Sequence, residues 1–309
     1  MKLIPAFVTN SSPVVWLNNF TRKAIANMLA TGTVPEHVAL IMDGNRRYAK
    51  TNGLPTQGGH EAGSATLLEI VDVSLQLGIR HLSIYAFSIE NFNRSKEEVD
   101  LLFSLLVERL DTFLEHRERV DKAPAVRIRI IGNKSLIPPQ TLYRLENIEK
   151  ITQNNTQLVL NVCFAYTSRD EISHSVGVLV DKFVNHETTR VDIDEIAIYN
   201  NFYFGPETPP VNLLIRTSGH TRLSDFLMWQ VCEDSHIEFL NVYWPSFTSY
   251  HFYAILVKYG YFESAQLAVD KLNSYTSSMI SYVEDEPRKQ TELHRLPPHP
   301  PFVSVLGKR

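Results

Sequence analysis

Apolar positions in this chain fall in short unbroken runs separated by longer amphipathic stretches, from about residue 35 to residue 262. Residues 38–42, 82–87, 126–131, 158–164, 211–215 and 237–242 read as strands, and their near-continuous apolar character suits a sheet covered on both faces. Helical patterns lie between them. Residues 95–119 open with Ser95-Lys96-Glu97-Glu98, a capping box, and Val99, Leu102, Phe103, Leu106, Leu110 and Phe113 then recur at helical spacing. Residues 60–77, stopped by Gly78, and residues 140–153 behave the same way. The alternation predicts an α/β fold, with βαβ units building a single central, mostly parallel sheet covered by helices. One domain over residues 34–262 accounts for it.

The flanks differ. In residues 1–33, Ser12 is placed to cap a helix over 12–31, with Pro13 at its first position. Val14, Leu17, Ala24, Ile25, Met28 and Leu29 fall on one face, opposite Asn18, Asn19, Arg22, Lys23 and Asn27. Such a helix packs on its own domain, or meets a membrane interface or lines the entry of a greasy substrate. Residues 263–309 read as a C-terminal helix and a charged, proline-rich tail containing Pro297-Pro298 and Pro300-Pro301, expected to be extended or disordered alone. No run reaches the ~18 apolar residues of a membrane span. Pro5, Asn10 and Pro13 interrupt the short N-terminal apolar piece, so no cleaved signal peptide is expected.

Composition narrows the chemistry. With 309 residues, 44% of them hydrophobic, the chain can bury one large core or two modest ones, and a net charge of -4 gives no global attraction to nucleic acid. The two cysteines, Cys163 and Cys232, rule out a disulfide framework and suggest no zinc site. Cys163, inside an apolar run, is expected to be a buried, inert thiol in a chain of cytosolic redox habits.

Four polar clusters sit at predicted strand ends or helix starts. The first is Asp43-Gly44-Asn45-Arg46-Arg47-Tyr48, and the second is Gly58-Gly59-His60-Glu61-Ala62-Gly63. The third is Ser88, Glu90, Asn91, Phe92, Asn93 and Arg94; the fourth is Arg216-Thr217-Ser218-Gly219 with Arg222 and Ser224. A parallel sheet brings all its strand carboxyl ends to one edge, where open α/β folds bind ligands. The residue types fit diphosphate handling. Gly44, Gly58 and Gly59 permit close backbone approach, and Arg47, Arg94, Arg216 and Arg222 can grip phosphate oxygens in pairs. Asp43 is a hard oxygen ligand for Mg²⁺, and His60 can donate to a leaving-group oxygen.

Residues 37–50, 59–63, 85–94 and 214–230, together with Trp244-Pro245-Ser246-Phe247, resemble the signature blocks of the cis-prenyltransferase family, covering roughly residues 34–250. Arg46-Arg47 and Arg216-Thr217-Ser218-Gly219-His220 resemble its eukaryotic, dehydrodolichyl diphosphate synthase branch. The resemblance implies a fold with a hydrophobic tunnel, Mg²⁺ as cofactor, and isopentenyl diphosphate and an allylic diphosphate such as farnesyl diphosphate as substrates. Asp43 would bind the metal. Gly44, Asn45, Arg46, Arg47, His60 and Arg94 would hold the allylic diphosphate, with Tyr48 also in contact with substrate. Arg216, Arg222 and Ser224 would hold isopentenyl diphosphate. Ser88 and Asn91, with Glu90 nearby, would position that substrate and relay its departing proton, and Phe92 would shape the wall. Leu67, Leu68, Val71, Leu75, Leu102, Phe103, Leu106 and Leu110 are tunnel or ordinary core, and Ala86 resembles the small residue of enzymes making long products.

Two departures carry further expectations. The Arg-x-Gly motif that closes homodimeric bacterial members is absent after Trp244. A related non-catalytic subunit is therefore expected to supply it, in a complex making polyprenyl diphosphate for dolichol and protein glycosylation. Such a complex is expected to be peripheral on the cytoplasmic face of the endoplasmic reticulum membrane, or alternatively on lipid droplets. Glu238 is the candidate second metal carboxylate, at a spacing shifted from the bacterial pattern, and Thr56 stands where bacterial members offer an Arg. A trans-prenyltransferase is excluded by the absence of any Asp-Asp pair, and a P-loop enzyme by the missing Gly-x-x-x-x-Gly-Lys. The remaining alternative is a non-catalytic scaffold or lipid-binding subunit of the same complex.

Overall fold

The computed structural model describes residues 20–21, 24–120 and 126–285. The six expected strands form one sheet: β1 (His37–Ile41), β2 (His81–Ser88), β3 (Val126–Ile131), β4 (Leu158–Tyr166), β5 (Leu213–Arg216) and β6 (His236–Phe239). Their order is β3-β4-β2-β1-β5-β6, and every pairing is parallel. β1 is buried along its whole length because both faces are covered. Val38 and Leu40 enter one core while Ala39 and Ile41 enter the other. Alternate residues point to opposite faces of a strand, which is why the run has no polar phase.

The helices are α1 (Asn45–Thr51), α2 (Thr56–Leu77), α3 (Lys96–Val120), α4 (Pro139–Thr152), α5 (Ser168–Val184), α6 (Glu195–Asn200) and α7 (Ser249–Asp285). On α3, Ser95 Oγ accepts the Glu98 N–H at 3.3 Å, half of the expected capping box, and the Glu98 carboxylate takes Arg94 at 2.7 Å. The first core holds side chains of α2, α3, α4 and α7, whereas the second is covered chiefly by Phe204, Phe226, Leu227 and Val231 from the segments around β5. Cys163 is fully buried, and burial pushes its thiol well above the ordinary range, which suits an inert group.

The N-terminal expectation is corrected in part. Of its helix, Ala26 is fully buried and Ile25 and Leu29 pack on the first core, while Ala24 and Met28 are exposed. The inward stripe is thus 25, 26 and 29, and Met28, placed on it by a wide apolar count, points away. Ser12, Pro13, Val14, Leu17, Arg22 and Lys23 lie outside the described residues, as does the proline-rich tail. The chain divides into two compact units, residues 1–263 and 264–309. In the second, residues 264–285 are helical, and Leu267 and Val269 are exposed. Among the described residues, no helix is long and apolar enough to cross a membrane.

Candidate active site

β1 ends at Ile41 and the chain turns at Asp43, whose N–H donates to the Ile41 carbonyl at 3.0 Å. Gly44 follows at φ 108°, where a Cβ would stand 2.9 Å from the Tyr243 ring and 3.1 Å from Ser218 Cβ. That position needs glycine for backbone and space alike. Registry does the rest. Arg216 pairs with Ile41 across β1 and β5, so a residue far along the chain arrives beside Asp43. Arg216 Nη2 donates to Asp43 Oδ2 at 3.0 Å and Arg47 Nη2 to Oδ1 at 3.2 Å. Burial alone would raise the Asp43 pKa, but hydrogen bonds with Arg216 and Ser218 and the charges of Arg216 and Arg47 outweigh it. The carboxyl is held below its usual value.

Arg47 also donates to the Ser218 carbonyl at 3.2 Å and to Ser218 Oγ, and its guanidinium lies 5.5 Å from the centre of the Tyr243 ring. Arg216 donates to Ser224 Oγ at 2.7 Å and to the Arg222 carbonyl. Its Nε is buried with no partner. Thr217 Oγ1 donates to the Asp43 carbonyl at 2.8 Å. Asp43, Arg47, Arg216 and Ser224 thus form one bonded cluster, joined by Thr217 and Ser218 of the fourth polar cluster and by Tyr243, for which the sequence had suggested no role.

The neighbouring arginine turns the other way. Arg46 faces Glu98 at 3.7 Å, and Arg94 binds the same carboxylate at 2.7 Å. Burial lowers the pKa of His60, and the charges of Arg46 and Arg94 lower it further, so the imidazole is neutral beside two cations. Arg46, His60 and Arg94 therefore make a second basic cluster, separate from the Asp43 one. Tyr48 is half-buried on α1, and its carbonyl accepts the Asn52 side-chain amide at 2.9 Å.

Gly59 and Gly63 of α2 are required by packing. A Cβ on Gly59 would lie 2.3 Å from the Asn45 carbonyl oxygen, and one on Gly63 2.4 Å from Asn45 Oδ1. α1 and α2 touch along their backbones there, and Gly63 O also accepts Trp244 Nε1 at 2.8 Å. At Gly58 the nearest atom would be at an ordinary 3.5 Å.

An apolar cavity of about 340 Å³ adjoins this region, lined by Met42, Asn45 and His60 and by Leu67, Leu68, Leu102, Leu106, Leu110 and Phe113. Ala86 lines it at a β-bulge of β2. Val71 and Phe103, also expected as tunnel or core, are buried core residues, and Leu75 packs on that core.

Ser88 Oγ accepts the Glu90 N–H at 3.2 Å and Asn91 Oδ1 accepts the Ser88 N–H at 2.9 Å, fixing the turn after β2. Phe92 packs edge-on against Phe87, with centroids 5.0 Å apart. Glu90 accepts from Arg169 at 3.1 Å. Glu238 is not gathered with Asp43. It sits on β6, where Lys258 holds its carboxylate at 2.6 Å and His236 approaches to 3.4 Å. Among the described residues, no group of three or more His, Cys, Asp or Glu is arranged to hold a metal ion.

Beneath the loop from β5 to β6 lies a buried polar network. Glu171 Oε2 accepts Tyr166 Oη at 2.6 Å and Gln230 Nε2 at 2.8 Å, while its Oε1 is buried without a partner. Burial pushes the Glu171 carboxyl up to about 7. Nothing in the sequence pattern distinguished it from a solvated helix residue.

The family described as putative undecaprenyl diphosphate synthase matches residues 41–265, the span holding both clusters and the cavity. The chain belongs to the cis-prenyltransferase family. This cis-prenyltransferase is 38% identical to dehydrodolichyl diphosphate synthase complex subunit SRT1 of Saccharomyces cerevisiae, over 98% of this chain and 89% of that one. It is 39% identical to the Homo sapiens dehydrodolichyl diphosphate synthase complex subunit, over 76% of this chain and 69% of that one. Among solved structures it is similar to lavandulyl diphosphate synthase from Lavandula x intermedia in complex with dimethylallyl diphosphate. That match has a TM-score of 0.69 and 31% identity, covering 74% of this chain and 95% of that one. The all-parallel six-stranded sheet is the architecture this cis-prenyltransferase shares with such neighbours.

Proposed function

We propose that this cis-prenyltransferase is the catalytic subunit of a dehydrodolichyl diphosphate synthase complex, condensing isopentenyl diphosphate with farnesyl or a related allylic diphosphate into a long polyprenyl diphosphate. The observation that carries the reading is Asp43, ionised between Arg47 and Arg216, with a second basic cluster whose His60 lines an apolar cavity. Two groups of phosphate-binding side chains and one apolar cavity are what two diphosphates and one hydrocarbon product require. The names of the fungal and human relatives support a place in such a complex.

Arg46, Arg94 and His60 would hold the allylic diphosphate, and Arg216, Arg222 and Ser224 that of isopentenyl diphosphate. As the allylic C–O bond breaks, fixed guanidinium groups stabilise the charge on the departing diphosphate. The isopentenyl double bond attacks the allylic carbon, a C–C bond forms, and one proton leaves toward the Ser88–Asn91 turn. Asp43, ionised and with part of its carboxylate exposed, would hold Mg²⁺ by giving up one of its two arginine contacts, since the ion uses one or two carboxylates, substrate phosphates and retained waters. The ion supplies further neutralisation of diphosphate charge when bound. Glu238, neutralised by Lys258, is a weaker second ligand.

The missing Arg-x-Gly would come from a related non-catalytic subunit, and the complex would work at the cytoplasmic face of the endoplasmic reticulum membrane. The test is incubation with labelled isopentenyl diphosphate and farnesyl diphosphate, with and without the candidate partner, followed by chromatography. Long products with the partner and low turnover without it are expected. High turnover by the isolated chain overturns the heteromer, and no turnover in any combination favours the non-catalytic subunit.

A further inference from the structure

Arg169 bridges two loops that flank the site from opposite sides of β1. Its Nε donates to Asp225 Oδ2 at 2.7 Å, in the loop after β5, and its Nη2 donates to Glu90 Oε1 at 3.1 Å, in the turn after β2. The backbone N–H of Arg169 takes the other Asp225 oxygen at 3.1 Å, and the Ser168 N–H donates to the Asp225 carbonyl at 2.8 Å. The loop so gripped is held in a disfavoured shape. Ser224, Asp225 and Leu227 have φ of 54°, 60° and 49°, left-handed values that side chains with a Cβ rarely take. Such backbone persists where its surroundings over-determine it, commonly at binding sites.

Ser224 and Arg222 in this loop are the proposed isopentenyl diphosphate ligands, whereas Ser88 and Asn91 beside Glu90 are the proposed proton-receiving turn. We infer that Arg169 is a positioning residue, a latch that fixes the distance between these two loops and so places isopentenyl diphosphate for attack. The inference rests on the proposed function. Arg169 is 73% exposed while Asp225 is only 8% exposed. The Arg169–Glu90 pair is exposed on both sides, and exposed ion pairs contribute little to global stability, so the effect of losing that link falls on geometry. A lysine cannot reproduce it, because a single ammonium lacks the two-pronged reach of a guanidinium.

The experiment compares wild type, Arg169→Ala and Arg169→Lys in the complex with the partner subunit. Arg169→Ala should raise KM for isopentenyl diphosphate on the order of tenfold, as a misplaced binding group does. KM for the allylic diphosphate should be unchanged and Tm shifted by no more than about 2 °C. Arg169→Lys should fall between. Calorimetry with inorganic pyrophosphate supplies a readout free of turnover, expected to show weakened binding in Arg169→Ala. Absence of incorporation by the wild-type complex would overturn the proposed function alone, because weakened pyrophosphate binding would still sustain the latch. Unchanged pyrophosphate affinity, or equal shifts in both KM values, overturns the latch; if Arg169→Ala fails to fold, Arg169→Lys is judged by the same two readouts.

Discussion

Replacing Glu171 by glutamine should change how stability depends on pH far more than it changes stability at any single acidic pH. The carboxyl is buried to 1% exposure, and its pKa rises from 4.5 to about 7. Between those values the folded protein binds more protons than the unfolded chain, so stability falls as pH rises. The contribution is fully present below 4.5 and is lost as pH rises through about 7. At 1.36 kcal/mol per unit the loss is about 3 kcal/mol, a large part of a typical net stability of roughly 5–15 kcal/mol. Glutamine offers the same acceptor oxygen to Tyr166 and Gln230 and never ionises. Urea unfolding from pH 4.5 to 7.5 should therefore show Glu171→Gln gaining about 3 kcal/mol on wild type across the range. Other groups titrate alike in both proteins and cancel in the difference. A wild-type-minus-variant difference that stays constant across this range would refute a neutral buried Glu171.

His37 should act in the opposite sense. Burial lowers its pKa to about 4, with Nδ1 2.8 Å from the Pro209 carbonyl and Nε2 2.7 Å from Ser83 Oγ. Its contribution is present above 6.5 and is lost as pH falls through about 4; an imidazole resonance that titrates near 6.5 would contradict this. Gly59→Ala should gain about 1 kcal/mol of helix propensity and lose about 3 kcal/mol to the clash with the Asn45 backbone oxygen, 2.3 Å from the added Cβ, a net destabilisation of about 2 kcal/mol. Denaturation showing the variant to be as stable as wild type would mean that α1 and α2 are not in backbone contact. Asp43→Asn keeps an oxygen for Arg216 but loses the charge, and should reduce isopentenyl diphosphate incorporation by at least about a hundredfold. Its circular dichroism should match wild type, and near-normal turnover would remove Asp43 from its assigned role.

Much of the fold was legible because its strands are apolar throughout; 126–131 matched the strand bounds, 158–164 matched at its start and fell two residues short at its end, and the other four runs missed by one to three residues at each end. α5 was not legible, for an instructive reason. Its buried positions are Ser168, Glu171, Ser175 and Leu179, whereas Val176, Val180, Phe183 and Val184 are exposed. A helix whose inward stripe is mostly polar defeats a rule that equates apolar with buried. α1 escaped notice because it is short and its stability comes from packing on Gly59 and Gly63 rather than from its own periodicity. At the site, strand-end logic brought Asp43, Arg47, Arg216 and Ser224 together. It could not show that Arg46 and Arg47 face different clusters, since that depends on side-chain direction. Nor could residue type alone separate Glu238, which is taken by Lys258, from a free metal ligand.

The pairing of β1 with β5 has a consequence for how the site comes into being. Asp43 and Arg216 are separated by 173 residues, yet each supplies half of the ion pair at its centre. On a ribosome adding roughly 5–20 residues per second, Asp43 emerges about nine to thirty-five seconds before its partner. Throughout that interval Arg47 alone can face the Asp43 carboxylate, and β1 carries an open edge where β5 will pair. Chains released before β5 would therefore lack binding competence as well as stability.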